Sequence, residues 1–282
     1  MSASRRTGGH PARAARAEDA REARRARAAA LHQRELARRR SRRVLLVSAA
    51  VVAVLALVAV VAVLVVRERE AATGTGGPTP PSATGDAGGY VLAGTPAPGA
   101  PTLDVWLDFQ CPYCAQFEAG AGEEYVQLAA EGRARVVLHT LSFLDDTLGG
   151  DSSRRAAEGA AAADEQGRVA QYTREVFARQ PGAGGNDGSE GDGYTDAQLR
   201  AAAEAAGVGD LDAWQRALEE GRYTGYVRRV QAGMADAGVR GTPTVTLTPA
   251  GGQPAVLDVQ RLLGADAAQY LREQVEAAAA AA

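Results

Sequence analysis

The chain has no lysine, and all 31 of its basic side chains are arginine. It has only two cysteines in 282 residues and three histidines, His10, His32 and His139. A zinc site built on the cysteines needs two further ligands, and two of the histidines lie before a long apolar run, so the histidines are poorly placed to supply them. Residues 1–43 contain no aromatic side chain to stack on a base, which argues against nucleic-acid binding by this arginine-rich stretch. From Val44 to Val66 there is no charge at all, and Ser48 is the only polar residue.

What is present gathers at residues 108–114, Asp108-Phe109-Gln110-Cys111-Pro112-Tyr113-Cys114, where the two cysteines form a CxxC. The apolar run Leu103 to Phe109 before it predicts a buried strand. Pro112 followed by Ala115-Gln116-Phe117-Glu118 predicts the first turn of a helix, with proline at its favoured N1 position. Cys111 then sits at the N-cap, where unpaired N–H groups and the helix dipole stabilise a thiolate, the species that attacks disulfides. Residues three apart share a helix face, so Cys114 can reach Cys111 and close a small disulfide. A purely structural disulfide would constrain little in so short a loop. In the redox reading Cys111, at the open end, is the attacking or attacked sulfur, and the buried Cys114 resolves the mixed disulfide.

Asp-Phe-Gln-Cys-Pro-Tyr-Cys after a hydrophobic strand resembles the active site of DsbA-like thiol-disulfide oxidoreductases of the thioredoxin superfamily. Glutaredoxins share Cys-Pro-Tyr-Cys, but a second segment, Val239-Arg240-Gly241-Thr242-Pro243-Thr244-Val245, resembles the DsbA-like cis-proline loop and following strand. The resemblance covers roughly residues 89–282. It implies an α/β thioredoxin-like fold with a helical insertion at about 148–237, and a loop at Thr242 and Pro243 that faces the CxxC and binds the substrate strand. It implies a redox-active Cys111–Cys114 disulfide with no cofactor or metal, tuned by Pro112 and Tyr113. The implied partners are exported cysteine-containing proteins and a quinone-linked membrane oxidase that regenerates the enzyme. Disulfide reduction, as in cytochrome maturation, and redox-inactive peptide binding are the alternatives.

Charge divides the chain. Residues 1–43 hold 14 arginines against 4 acids, and residues 67–282 hold 17 against 30. The 23 residues between them span roughly 34 Å as a helix, enough to cross a hydrocarbon core of about 30 Å. Arg38-Arg39-Arg40 and Arg42-Arg43 precede this run, so the positive-inside rule keeps the tail in the cytoplasm and places the rest outside. A cleaved signal is the alternative, and Ser41-Arg42-Arg43-Val44-Leu45-Leu46 resembles a twin-arginine export motif. The tail is read as a solvated topology signal. The exclusive use of arginine, with abundant alanine, is read as the coding bias of a GC-rich bacterium such as an actinobacterium. Residues 67–88, rich in Gly, Pro, Thr and Ser, are expected to be a flexible linker.

Within the domain, Tyr90-Val91-Leu92 predicts an edge strand, Arg135 to Leu141 a second strand, and 151–180 one alanine-rich amphipathic helix. After a Gly-rich loop at 181–193 come helices capped at Thr195, near 211–220 and over 223–237. A hairpin at 244–248 and 255–257 turns at Gly251-Gly252, and a terminal helix covers about 265–281. Asp108, three residues before Cys111, is either a structural strand-end residue or a proton acceptor. The acid that thioredoxin-like folds often bury six residues before the first cysteine is replaced here by Val105, which leaves deprotonation of Cys114 open. His139 is read as a structural strand histidine, and Trp106 and Trp214 as core.

Overall fold

The computed structural model describes residues 74–85, 88–181 and 193–280, together with Leu55 and Val58. The arginine tail, nearly all of the 44–66 run, residues 67–73 and most of the 181–193 loop lie outside the described residues. Among the described residues no helix is long and apolar enough to cross a membrane. The chain divides after Arg67, and the unit Glu68–Ala282 carries the α/β domain.

Its sheet has five strands, β1 (Tyr90–Val91), β2 (Thr102–Asp108), β3 (Arg135–Leu141), β4 (Thr244–Thr248) and β5 (Ala255–Val256), in the spatial order β1-β3-β2-β4-β5. β2 and β3 run parallel, with Thr102 opposite Arg135 and Asp108 opposite Leu141; every other pairing is antiparallel. A parallel pair needs a long crossover. Here it is supplied by α1 (Pro112–Ala130), which leaves the sheet at the end of β2. β2 is central, and its apolar run follows from burial on both faces: Leu103, Val105 and Leu107 lie on one side and Trp106 on the other.

Between β3 and β4 the chain makes α2 (Leu144–Leu148), α3 (Ser152–Asp164), α4 (Val169–Phe177), α5 (Asp196–Ala205), α6 (Leu211–Glu219) and α7 (Thr224–Asp236). α8 (Val259–Leu262) and α9 (Ala267–Ala280) follow the hairpin, and α9 packs on α1. α3 is the hub of the insertion, packing against α4, α5, α6, α7 and β3. Its alanines allow that many neighbours: every residue but Arg154 and Arg155 is buried. Gly159 marks the tightest approach, since a Cβ there would stand 2.1 Å from the Tyr172 hydroxyl and 3.0 Å from the Trp214 ring.

Three expectations are corrected. The single helix over 151–180 is two, because Gly167, at φ +67°, turns the chain after α3 in a conformation that favours glycine. The terminal helix starts at Ala267, and the residues before it form the separate α8, capped by the Asp258 side chain on the Gln260 N–H at 2.8 Å. Residues 74–85, read as part of a flexible linker, are docked on the insertion. Asp164 accepts from the Ser82 N–H at 2.9 Å and the Ser82 hydroxyl at 2.6 Å, and the Arg229 guanidinium donates to the Thr75 carbonyl and, at 2.9 Å, the Thr79 hydroxyl. Polar bonds to helix side chains and a backbone bridge from Ala83 to Tyr90 help order this segment, so hydropathy alone does not reveal it. Thr195 does cap α5 as its spacing predicts, in a reciprocal capping box with Gln198.

The Gly159 contact gives a stability prediction. Gly159→Ala should destabilise the protein by about 1–3 kcal/mol through overpacking. Tyr172→Phe removes the nearest atom, whose hydroxyl has no hydrogen-bond partner. The loss from Gly159→Ala should therefore shrink in the Tyr172→Phe background, as measured by denaturant unfolding of the four proteins of the cycle.

Candidate active site

The sheet register assembles the site. β4 runs antiparallel to β2 with Thr244 opposite Trp106, so the residues just before Thr244 lie beside those just after Trp106. That brings the loop at Gly241, Thr242 and Pro243 to the start of α1, about 130 residues away in sequence. The Thr242–Pro243 peptide is cis. The Cys111 sulfur lies 3.3 Å from the Thr242 carbonyl oxygen, which accepts from the thiol.

Cys111 is the N-cap of α1, with extended backbone (φ −78°, ψ 116°), and Pro112 opens the helix. Both cysteines are free thiols. Cys111 is more covered than its place at the helix opening suggests: it keeps 5% of its surface exposed, and Cys114 keeps none. The two differ more in acidity. The Cys114 thiol, donating to the Cys111 sulfur, draws the Cys111 pKa down to about 6 against the opposing effect of burial. The Thr242 side chain and the N–H groups of Cys114 and Tyr113 add to the fall. Burial pushes Cys114 well above an ordinary thiol, and the neighbouring Cys111 sulfur pushes it further. At neutral pH the pair therefore holds one thiolate and one thiol, which is the division of labour that exchange requires.

Asp108 is fully buried at the end of β2. Its carboxylate accepts from the Ser153 hydroxyl at 2.5 Å, the Gln110 N–H at 2.9 Å and the Leu144 N–H at 3.1 Å. These bonds tie the strand end to α2 and α3, the geometry of the structural role, and none reaches a sulfur. Burial nevertheless raises its pKa to about 6, with Ser153 and the two N–H groups opposing the rise. Val105, six residues before Cys111, is buried in the sheet. His139 is a strand residue, bonded to Asp104 at 3.0 Å and stacked on Trp106 at 3.7 Å. Trp214 is buried and donates to the Gly159 carbonyl at 2.9 Å.

Three residues here escape sequence reasoning. Glu118 lies four positions after Cys114 on the inward face of α1, where it accepts from the Tyr125 hydroxyl at 2.6 Å. Burial raises its pKa to about 7, against the lowering effects of Tyr125 and Arg174. Its i+4 spacing from Cys114 is the signal that could have found it. Gln180 and Tyr194 come from the insertion to bond the backbone carbonyls around Cys111, and no local pattern marks them.

Tyr113 stands exposed beside a groove of about 740 Å³ that runs past Thr242 and Pro243 to Val256 and Val259. Three apolar side chains open to solvent next to the sulfurs suit an extended peptide. Among the described residues no group of His, Cys, Asp or Glu is arranged to hold a metal.

The two raised carboxyls make stability fall with pH. A carboxyl whose folded pKa lies above its unfolded value contributes fully below the unfolded value, and that contribution is lost as pH rises through the folded one. For Asp108 and Glu118 the windows run from 3.8 to about 6 and from 4.5 to about 7. Unfolding free energy should therefore drop between about pH 4 and 7, on the order of 2–3 kcal/mol for each buried group. Denaturant unfolding across this range checks it, and Glu118→Gln should flatten the upper part of the slope.

Residues 102–276 match the family described as DSBA-like thioredoxin domain. No curated protein sequence matches the chain. Among solved structures, the chain is similar to MdbA, a thiol-disulfide oxidoreductase from Actinomyces oris, at 22% identity and a TM-score of 0.57, covering 72% of this chain and 90% of that one. It is also similar to MdbA from Corynebacterium diphtheriae, at 20% identity and a TM-score of 0.51, covering 70% and 92%. At these identities the likeness concerns the fold. The family match takes in more than half of the chain, both cysteines and the Thr242–Pro243 loop, so this chain belongs to the DSBA-like thioredoxin family, whose members are thiol-disulfide oxidoreductases.

Proposed function

We propose that this protein is a membrane-anchored, extracytoplasmic oxidase that introduces disulfides into exported cysteine-containing proteins. The observation that carries the direction is the acidity split between Cys111 and Cys114. Holding Cys111 as a stabilised thiolate shifts the equilibrium toward the reduced form and so makes the disulfide more oxidising.

The reaction uses the oxidised pair. A substrate thiolate attacks the Cys111 sulfur, because Cys114 has no surface to attack. The Cys111–Cys114 bond breaks, and Cys114 leaves and takes up a proton, as its raised pKa favours. A second substrate thiolate then attacks the substrate sulfur of the mixed disulfide and releases Cys111 as a thiolate. Two electrons pass from the substrate dithiol to the enzyme pair, and a quinone-linked membrane oxidase restores the disulfide. Substrate lies in the groove between Tyr113 and Val256, against Thr242 and Pro243. Charge supports the location: the segment before the apolar run is strongly basic and the domain after it acidic.

Equilibration with glutathione tests the direction: the enzyme disulfide should be reduced by low thiol concentrations. A disulfide that resists reduction would identify a reductase. In cells, Cys114→Ala should retain reductant-sensitive adducts with exported proteins, and Cys111→Ala should form none. Equal adducts from both variants would overturn the assignment of the nucleophile. Protease added to spheroplasts should remove the domain and leave the arginine tail protected.

A further inference from the structure

Phe109 and Cys111 present two carbonyl oxygens that the sheet and helix alone do not satisfy in the same way. The Cys111 carbonyl starts the α1 ladder, accepting from the N–H of Cys114 at 3.0 Å and of Ala115 at 3.2 Å. The Phe109 carbonyl lies beyond the end of β2, in a residue with 1% of its surface exposed. Left alone it would be a buried acceptor without a donor, which is destabilising.

The helical insertion supplies the donors. The Gln180 side-chain amide, three residues past the end of α4, donates to the Phe109 carbonyl at 2.7 Å and to the Cys111 carbonyl at 3.1 Å. The Tyr194 hydroxyl, just before the cap of α5, donates to the Phe109 carbonyl at 2.8 Å. Both side chains are nearly inaccessible, at 7% and 4% exposure. Tyr194 is itself held by its N–H on the Ser152 hydroxyl at 2.6 Å, and the Phe109 ring packs on Phe177 at 5.0 Å. The Phe109–Gln110 and Cys111–Pro112 peptide groups are thus clamped to the insertion.

That clamp bears on the sulfur in two ways. Cys111 is stabilised by N–H groups of the first α1 turn, and their aim depends on the backbone angle of Cys111, which its own carbonyl reports. The carbonyl oxygens also place partial negative charge close to a developing thiolate, and donors on them offset it. We infer that Gln180 and Tyr194 are positioning residues that set the nucleophilicity and redox potential of Cys111 from the helical insertion, through the carbonyls of Phe109 and Cys111. The inference rests on Cys111 being the reactive thiolate. The other titratable groups of the turn, Cys114 and Asp108, keep their own partners and are left unchanged by the test.

The variants are Gln180→Met, similar in length but without a donor, and Tyr194→Phe, which loses one hydroxyl. Thiolate absorbance against pH and equilibration with glutathione are measured on the full chain, with Cys111→Ser as the blank and denaturant unfolding alongside. Gln180→Met should raise the Cys111 midpoint by about half a pH unit or more and shift the glutathione equilibrium toward the disulfide by about threefold. Tyr194→Phe should shift both in the same direction but less, because Gln180 still serves the Phe109 carbonyl. If stability falls while midpoint and equilibrium stay at the wild-type values, the two residues are structural and the inference is overturned. If Gln180→Met fails to fold, the shift or its absence in Tyr194→Phe decides. A wild-type protein with no titration beyond the Cys111→Ser blank overturns the thiolate reading itself.

Discussion

The pairing of Trp106 with Thr244 is the contact from which the rest of the site follows. Two segments about 130 residues apart carry the chemistry, and neither has any local reason to meet the other. Antiparallel register between β2 and β4 supplies that reason, because it continues past the last paired residues and sets Thr242 against Cys111. Strand register is quantised: a slip of one residue would turn Trp106 and Asp108 to the opposite face and carry the CxxC off the loop. Burial of β2 on both sides of the sheet prevents such a slip, so the sheet core and the site are enforced by the same side chains.

The parts of this architecture written locally were legible. The β2 run, proline at N1, the Cys-Pro-Tyr-Cys spacing and the Thr195 cap each declare themselves within a few residues, and each lies where its pattern places it. The Thr242–Pro243 loop was reached through family resemblance, not through any periodicity. What stayed hidden depends on tertiary placement. Gln180 and Tyr194 read as ordinary loop residues, and only the packing of α4 on α1 and α3, and of α5 on α3 and α4, brings them to the carbonyls of Phe109 and Cys111. Docking of 74–85 rests on Asp164 and Arg229, two charged residues whose partners lie 82 and 150 or more positions away. Gly167, like the i+4 spacing of Glu118, was a local signal passed over, since the alanine run at 160–163 before it reads on as helix.

Buried acid distinguishes the interior beneath the cysteines from an ordinary core. Asp108 is supported by three donors and Glu118 by the Tyr125 hydroxyl, yet burial outweighs these bonds and leaves both carboxyls titrating near neutrality. Groups of this kind cost stability above neutral pH. Neither carboxyl is bonded to a sulfur, and the partners of each show a structural role. Asp108 gathers β2, α2 and α3, and Glu118 holds Tyr125 within α1.

One helix gives two identical side chains opposite properties. At the N-cap, Cys111 meets the unpaired N–H groups of the first turn and a thiol that donates to it, and its charge is stabilised despite partial burial. One turn further in, Cys114 has no water, and its nearest neighbour is a sulfur that becomes negative, so its charge is opposed twice. Moving the pair a full turn further into the helix would lose the first effect, because the free N–H groups are confined to the first turn. The requirement for Pro112 follows from the same place. It occupies the position whose N–H would have no intrahelical partner and fixes φ for the turn. The acidity split that supports an oxidising disulfide is thus a property of where the helix begins, and the insertion, by holding the carbonyls of Phe109 and Cys111, holds that beginning in place.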